Sequence, residues 1–271
     1  MADALAFGTQ TNWILEKIDL AKLRERKQKE KLEKVLDKTK EEKVIFPTVK
    51  EISILLKAYE EQLWALCEHL NLPLIVKLNA ITYFKRFYLR NSAIGTDIEM
   101  NLVTALTVAN KTGEYWLSLD KIASTVSKSK TEILKNEIPF LEGIKYNLLV
   151  HHPHSSLEIL LSKSRKNMEN MDAFTEKAIN FLTCCYKSDI IFLYKPTCLA
   201  VAAFFCSAKK VSVGLMDKCK KIVEDLAGKS QFEELVKASN QIIEYFENEN
   251  VADIKNLKRI RKKLSKINKN F

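Results

Sequence analysis

Three groups of residues have types and spacings that could do chemistry. His151-His152-Pro153-His154 places three histidines in four positions, and histidine is a common zinc ligand. Their i, i+1, i+3 spacing around a proline does not converge easily on one ion, and no cysteine or carboxylate pattern accompanies them. The run reads as a polar linker, and no metal or other cofactor is expected. The six cysteines (Cys67, Cys184, Cys185, Cys198, Cys206 and Cys219) form no C-x-x-C pair and mostly sit on apolar helical stretches. They read as reduced core thiols of a cytosolic or nuclear protein. Third, Tyr83-Phe84-Lys85-Arg86-Phe87-Tyr88-Leu89-Arg90-Asn91-Ser92 packs four aromatics and three positive charges into ten residues. Interleaved basic and aromatic residues can mark an RNA-binding strand. That signature needs glycines between the aromatics, and this run has none, so it reads as a packed helix. The chain also has no glycine-rich phosphate loop, no His-Arg-Asp catalytic loop and no Asp-Phe-Gly, so kinase chemistry of its own is not expected.

The elements that must position these residues follow from composition and periodicity. Hydrophobic residues make up 46% of 271 and charged residues 29%, with six glycines and five prolines, which predicts long helices with short joints in one or two domains. No run of about 18 apolar residues predicts a membrane span. Met1–Gly8 lacks a basic region followed by an apolar run, so no secretory signal is expected. The net charge of +10 is concentrated near the ends. Lys17–Lys43 carries eleven basic and seven acidic residues, and Val251–Phe271 carries eight basic residues and one acid, which leaves Val44–Asn250 at +1. Any attraction to polyanions would therefore lie in the end segments, and direct nucleic-acid binding by the middle of the chain is not expected.

Read in order, Lys17–Lys43 is a charged helix or arm with sparse apolar points at Ile18, Leu23, Leu32, Val35 and Leu36, and Trp13 could anchor it. Thr48-Val49-Lys50-Glu51 is a capping box opening a helix that ends near Asn71. Pro73 starts the next helix, where its missing N–H costs nothing; Ile75, Leu78, Ile81, Phe84 and Tyr88 share its buried face. Thr96-Asp97-Ile98-Glu99 reads as a second capping box, and Gly113 as a left-handed cap ending that helix. Ser118 caps a short helix, Leu119–Val126, and Thr131 to about Ile144 forms another, with Pro139 as a kink or late start. Ser155-Ser156-Leu157-Glu158 reads as a third capping box. The second half then repeats the first: Pro196 opens a helix as Pro73 does, with Val76 or Leu199 three residues on and Ala80 or Ala203 seven residues on. Finally, Ile254, Leu257, Ile260, Leu264, Ile267 and Phe271 form an amphipathic seam, expected to pack on the body.

Two tandem five-helix bundles, each built round a proline-started helix, resemble the cyclin family. Tyr83–Leu89 with Asn91-Ser92 is similar to the second helix of a first cyclin box. The resemblance continues at Leu148-Leu149-Val150-His151-His152-Pro153 and at Leu193-Tyr194-Lys195-Pro196-Thr197. It implies an all-α fold of two cyclin boxes, residues 46–150 and 151–250, with an N-terminal arm at 1–45 and a basic C-terminal helix at 251–271. It also implies a kinase-binding set. Ala109-Asn110-Lys111-Thr112-Gly113-Glu114 matches the family's lysine motif, so Lys111 takes the lysine role with Glu114 beside it. Glu137, in Asn136-Glu137-Ile138, takes the glutamate role by its spacing to Tyr146-Asn147-Leu148. Val108 and Tyr146 fall where apolar kinase contacts are expected. Thr112 and Gly113 depart from the family, which usually has an apolar and an acidic residue there. Lys111 and Glu137 could equally form an internal ion pair. The implied function is non-catalytic: a nuclear regulatory subunit of a CDK-activating kinase. Its expected partners are the kinase's catalytic subunit and a MAT1-like assembly factor within the transcription and repair factor TFIIH. Another transcriptional cyclin with a different kinase, or a TFIIB-like DNA-binding core, are the alternatives.

Overall fold

The computed structural model describes residues 14, 17–36, 47–165, 171–211, 214–248 and 257–268, and no strand occurs among them. In chain order the helices are α1 (Lys17–Leu36), α2 (Val49–His69), α3 (Leu74–Arg90), α4 (Ile98–Thr112), α5 (Leu119–Val126), α6 (Lys130–Gly143), α7 (Pro153–Ser164), α8 (Met171–Lys187), α9 (Pro196–Val211), α10 (Leu215–Ala227), α11 (Lys229–Asn248) and α12 (Leu257–Asn268). They form two compact units. One holds Lys17–Leu149 with α12, and the other is built on Val150–Asn250. Trp13, Ile254 and Phe271 lie outside the described residues, as do the side chains of Ile18, Val35, Leu36 and Ile267.

In the first unit α3 is the hub, packed by α1, α2, α4 and α6. It is buried on all sides from Leu78 to Leu89, not on one face as its periodicity predicts, while Ile75 on the expected inner face is exposed. Its cations explain how a charged helix survives there. Lys85 Nζ lies 2.6 Å from Glu60 of α2, both nearly water-free, and Arg86 donates to backbone carbonyls beyond α6. Such a buried pair adds little net stability, but removing one partner typically costs about 3–5 kcal/mol, so it fixes how α2 and α3 meet. Phe87 stacks on Phe140 of α6 at 5.0 Å and 2°. Gly143 at the end of α6 must lack a Cβ, which would stand 2.3 Å from Phe87 Cε2.

Local hydrogen bonds set several helix starts. Thr48 Oγ1 accepts from the Glu51 N–H at 3.2 Å and Glu51 Oε2 accepts from the Thr48 N–H at 2.9 Å, completing the predicted capping box. Two other predicted boxes are not formed. The Thr96 hydroxyl is spent on the Ser92 and Ala93 carbonyls, so Asp97 caps α4 instead, accepting from the Met100 N–H at 2.9 Å. Helix α7 starts at Pro153 with His152 before it, which puts Ser155 inside the first turn; proline's fixed φ suits that position. Pro139 lies within α6 and does not start it. Gly113 has φ −86° and is no left-handed cap; Glu114, at φ 51°, takes that conformation.

Helix α12 packs on α2 through buried Ile260 and Leu264. Glu51 holds it electrostatically: Oε1 is 2.8 Å from Lys263 Nζ and 3.4 Å from Arg259. These cations and the Thr48 N–H hold the Glu51 carboxyl below the usual carboxylate range. Arg261 lies over the Tyr59 ring at 5.0 Å.

In the second unit α9 plays the part of α3, packed by α7, α8, α10 and α11. Leu199, Ala203 and Phe204 are buried, as Val76, Ala80 and Ile81 are in α3. The small alanines let neighbouring helices come close. Asp189–Phe192 forms a single 3-10 turn between α8 and α9. Five cysteines are buried thiols and Cys184 is exposed.

Candidate partner-docking site

The candidate face lies where α4, α6 and the segment after α6 meet. Lys111, in the last turn of α4, reaches Glu137 of α6 with Nζ 2.6 Å and 2.8 Å from the two carboxylate oxygens. The lysine side chain is 55% exposed and the glutamate 17%. Glu137 is held from behind by its neighbour. Asn136 Nδ2 donates to Asn101 Oδ1 at 3.0 Å and Thr104 Oγ1 at 2.9 Å on α4, and Asn101 Nδ2 donates to the Tyr88 hydroxyl at 2.9 Å on α3. Burial raises the Tyr88 phenol well above its ordinary value, so it stays neutral within this network. The network ties α3, α4 and α6 together, with Asn136 next to Glu137 in the chain.

The segment after α6 is fixed from the core. The Tyr83 hydroxyl donates to the Leu148 carbonyl at 2.7 Å and lies 3.1 Å from Thr112 Oγ1, next to Lys111. Arg86 Nη1 donates to the carbonyls of Asn147 at 2.9 Å and Leu149 at 3.0 Å. Thus the Tyr83–Leu89 run identified in the sequence acts inside the protein, bonding α4 to the segment 147–149.

Sequence expectations for single residues fare differently. Lys111 and Glu137 are brought together as an ion pair. Tyr146 is 57% exposed and presents an apolar ring. Glu114 is exposed at the turn out of α4, three residues past Lys111. Val108 is the correction: it is 2% exposed, so its side chain fills the core and offers no surface to a partner. Thr112 bonds to the Ala109 carbonyl and neighbours Tyr83. A Cβ on Gly113 would meet Val76 at 2.8 Å, so packing against α3 accounts for this departure from the family pattern.

Several exposed apolar residues nearby escape sequence reasoning. Leu134 and Ile138 lie one turn apart on α6, Leu149 follows Tyr146, and Trp116 is 99% exposed just past Glu114. Periodicity assigns such residues to cores; Ile138 and Leu149 lie in stretches the family resemblance picks out, but nothing in their spacing marks them as exposed. Exposed apolar side chains on the same elements as a charged pair suit a protein partner better than a small ligand. Among the described residues no group of histidine, cysteine and carboxylate side chains could hold a metal. His152 Nδ1 instead pairs with the Tyr186 hydroxyl at 2.5 Å, while burial lowers the His154 pKa. No helix of the described residues is long and apolar enough to cross a membrane.

Two helical units, each wrapped round a proline-started central helix, with a Lys–Glu pair on the surface of the first, have the architecture of a cyclin-type fold. Solved structures bear out the fold. The chain is similar to a chain of the CAK complex from Chaetomium thermophilum bound to ATP-γ-S, with TM-score 0.82 and 22% identity over 94% of this chain and 85% of that one. It is also similar to a chain of the yeast TFIIK (Kin28/Ccl1/Tfb3) complex, with TM-score 0.69 and 22% identity over 88% and 99%. A viral cyclin from herpesvirus saimiri aligns at TM-score 0.54. In sequence the chain resembles cyclins of the H group. Cyclin CCL1 of Saccharomyces cerevisiae is 30% identical over 173 residues, 61% of this chain and 44% of that protein. Putative cyclin-H of Dictyostelium discoideum is 34% identical over 143 residues, 52% of this chain and 49% of that protein. The chain spans about half the length of these curated relatives. No family model matches it.

Proposed function

We propose that this chain is a cyclin H-like regulatory subunit that binds and activates a cyclin-dependent kinase and catalyses nothing itself. The observation that carries the reading is the Lys111–Glu137 pair, set among exposed apolar side chains on a cyclin fold. In protein kinases an internal Lys–Glu ion pair must be in place before phosphates are positioned, and the kinase's own αC helix controls it. A rigid face pressed on that helix biases a two-state kinase towards its active arrangement. With two of its three N–H groups on Glu137, Lys111 keeps one donor for a backbone carbonyl of the kinase, and Glu137 keeps the ammonium aimed. An interface able to do this buries roughly 1,200–2,000 Å².

Relatives found in CAK and TFIIK complexes support the finer part of the proposal. The kinase would be of the CDK-activating type, acting on activation loops of cell-cycle kinases and on the RNA polymerase II tail. A MAT1-like assembly factor would join it within TFIIH in the nucleus. The test is to co-purify the full chain from its own organism, identify the kinase that accompanies it, and assay the recombinant pair on a polymerase-tail peptide. Phosphorylation is expected to rise on adding the chain; unchanged activity despite stable binding refutes the proposal. Strong DNA binding that collapses with salt, without a kinase, would favour the TFIIB-like alternative instead.

A further inference from the structure

We infer that Tyr83 and Arg86 are positioning residues for partner docking: from the core of the first unit they clamp Tyr146–Leu149 into a preset edge beside Lys111 and Glu137. The inference rests on the reading that this face meets the kinase. Arg86 is wholly buried, and its guanidinium donates to two backbone carbonyls, Asn147 and Leu149, with the Asn147 amide oxygen also within reach at 3.4 Å. Tyr83 takes the carbonyl between them, Leu148. Three successive carbonyls of one short segment are thereby held by two side chains one helical turn apart.

The segment needs such a hold. Lys145 and Tyr146 are adjacent non-glycine residues with φ of 55° and 54°, a left-handed conformation that costs about 1–2 kcal/mol per residue. Within the turn itself the backbone supplies four bonds: Lys145 N–H to the Glu142 carbonyl at 2.9 Å, Tyr146 N–H to Leu141 at 2.8 Å, Asn147 N–H to Ile144 at 3.2 Å and Leu148 N–H to Tyr146 at 3.1 Å. A clamp serving stability alone would turn the segment's apolar side chains inward. Here it holds Tyr146 and Leu149 outward, 57% and 66% exposed, with Leu148 half-buried between them. Fixing that edge before association removes an ordering cost that binding would otherwise carry.

Tyr83→Phe is the probing variant, because it removes one hydroxyl and keeps the packed ring, whereas Arg86→Met dismantles a buried network and is expected to fold poorly. Thr107→Val serves as a control, since the Thr107 hydroxyl bonds only within α4, to the Val103 carbonyl. In the free full-length chain, amide exchange at Asn147 and Leu148 is expected to quicken about tenfold in Tyr83→Phe and to stay unchanged in Thr107→Val, the fold expected for one lost hydrogen bond. Unchanged exchange in Tyr83→Phe overturns the clamp. With the co-purified kinase, Tyr83→Phe is expected to weaken affinity about tenfold in the wild-type background, but less than about threefold once Tyr146 and Leu149 are both alanine. Equal losses in both backgrounds overturn the positioning role, as does no loss when Lys111→Ala does weaken binding. If the wild-type chain binds no kinase, the docking role falls with the reading beneath it, while the exchange result still decides the clamp.

Discussion

Replacing Lys111 with alanine separates docking from stability more cleanly than any other single change on this surface. In the free protein the lysine side chain is 55% exposed and the glutamate 17%, and an ion pair open to solvent on its lysine side contributes about 0–1 kcal/mol to folding. Domains of this size lose about 2–4 °C of Tm per kcal/mol, so the first unit should melt within about 4 °C of wild type. Once a partner covers the pair, the balance changes. The two bonds at 2.6 Å and 2.8 Å then lie in a drier medium, and the net loss is set at that of one hydrogen bond to a charged group, about 1.5–3 kcal/mol. Lys111→Ala should therefore raise the Kd for the kinase by about 10- to 150-fold, and Glu137→Gln by a comparable factor. Combining them should cost little more than either alone, because each removes the same arrangement. Calorimetric titration against the kinase, paired with thermal melts of the free variants, reads both quantities. A Tm loss large enough to explain the binding loss would refute the reasoning, as would wild-type affinity in both variants.

The remaining predictions test other parts of the structure. Gly143→Ala puts a methyl 2.3 Å from Phe87 Cε2 and 2.6 Å from Cδ2; overpacking of this kind costs about 1–3 kcal/mol, so thermal unfolding should show a lower Tm, and an unchanged Tm would mean the ring gives way freely. Glu51 has its carboxyl held below the usual range by Lys263, Thr48 and Arg259. Its stabilising effect is thus present above the ordinary carboxylate value and lost as pH falls through the lowered one. Protection of α12 from amide exchange should fall in acid and in high salt, and Glu51→Gln should lose that protection at neutral pH. Burial pushes the Cys67 and Cys219 thiols up to about 12 and Cys198 to about 11, and thiolate is the reactive form. Iodoacetamide on the folded chain should label exposed Cys184 first, as read by mass spectrometry, and prompt labelling of Cys67 would contradict the packing.

Helix identity was largely legible in the letters because its determinants are local. The Thr48–Glu51 box, Pro73 and Pro196 each mark a helix start by chemistry that acts within four residues, and all three mark helices in the structure. Legibility failed where two local solutions compete. Thr96 and Asp97 can each cap α4, and the loop before them decided by engaging the Thr96 hydroxyl with Ser92 and Ala93. Ser155 could cap a helix, but Pro153 began one two residues earlier.

At the candidate site the division is sharper. Through the family resemblance, the residues alone pointed to Lys111, Glu137 and Tyr146, and periodicity recognised two central helices. Exposure, however, is a property of what covers a residue, and no pattern of spacing encodes it. Only the tertiary structure buried Val108, left Ile138, Leu149 and Trp116 facing water, and enclosed α3 on all sides. It also gave the cations of the Tyr83–Leu89 run their use. In sequence Lys85 and Arg86 look like surface charges. In the fold, long-range contacts to Glu60 and to the carbonyls after α6 turn them into internal fasteners, because a buried charge persists only where the chain returns to meet it.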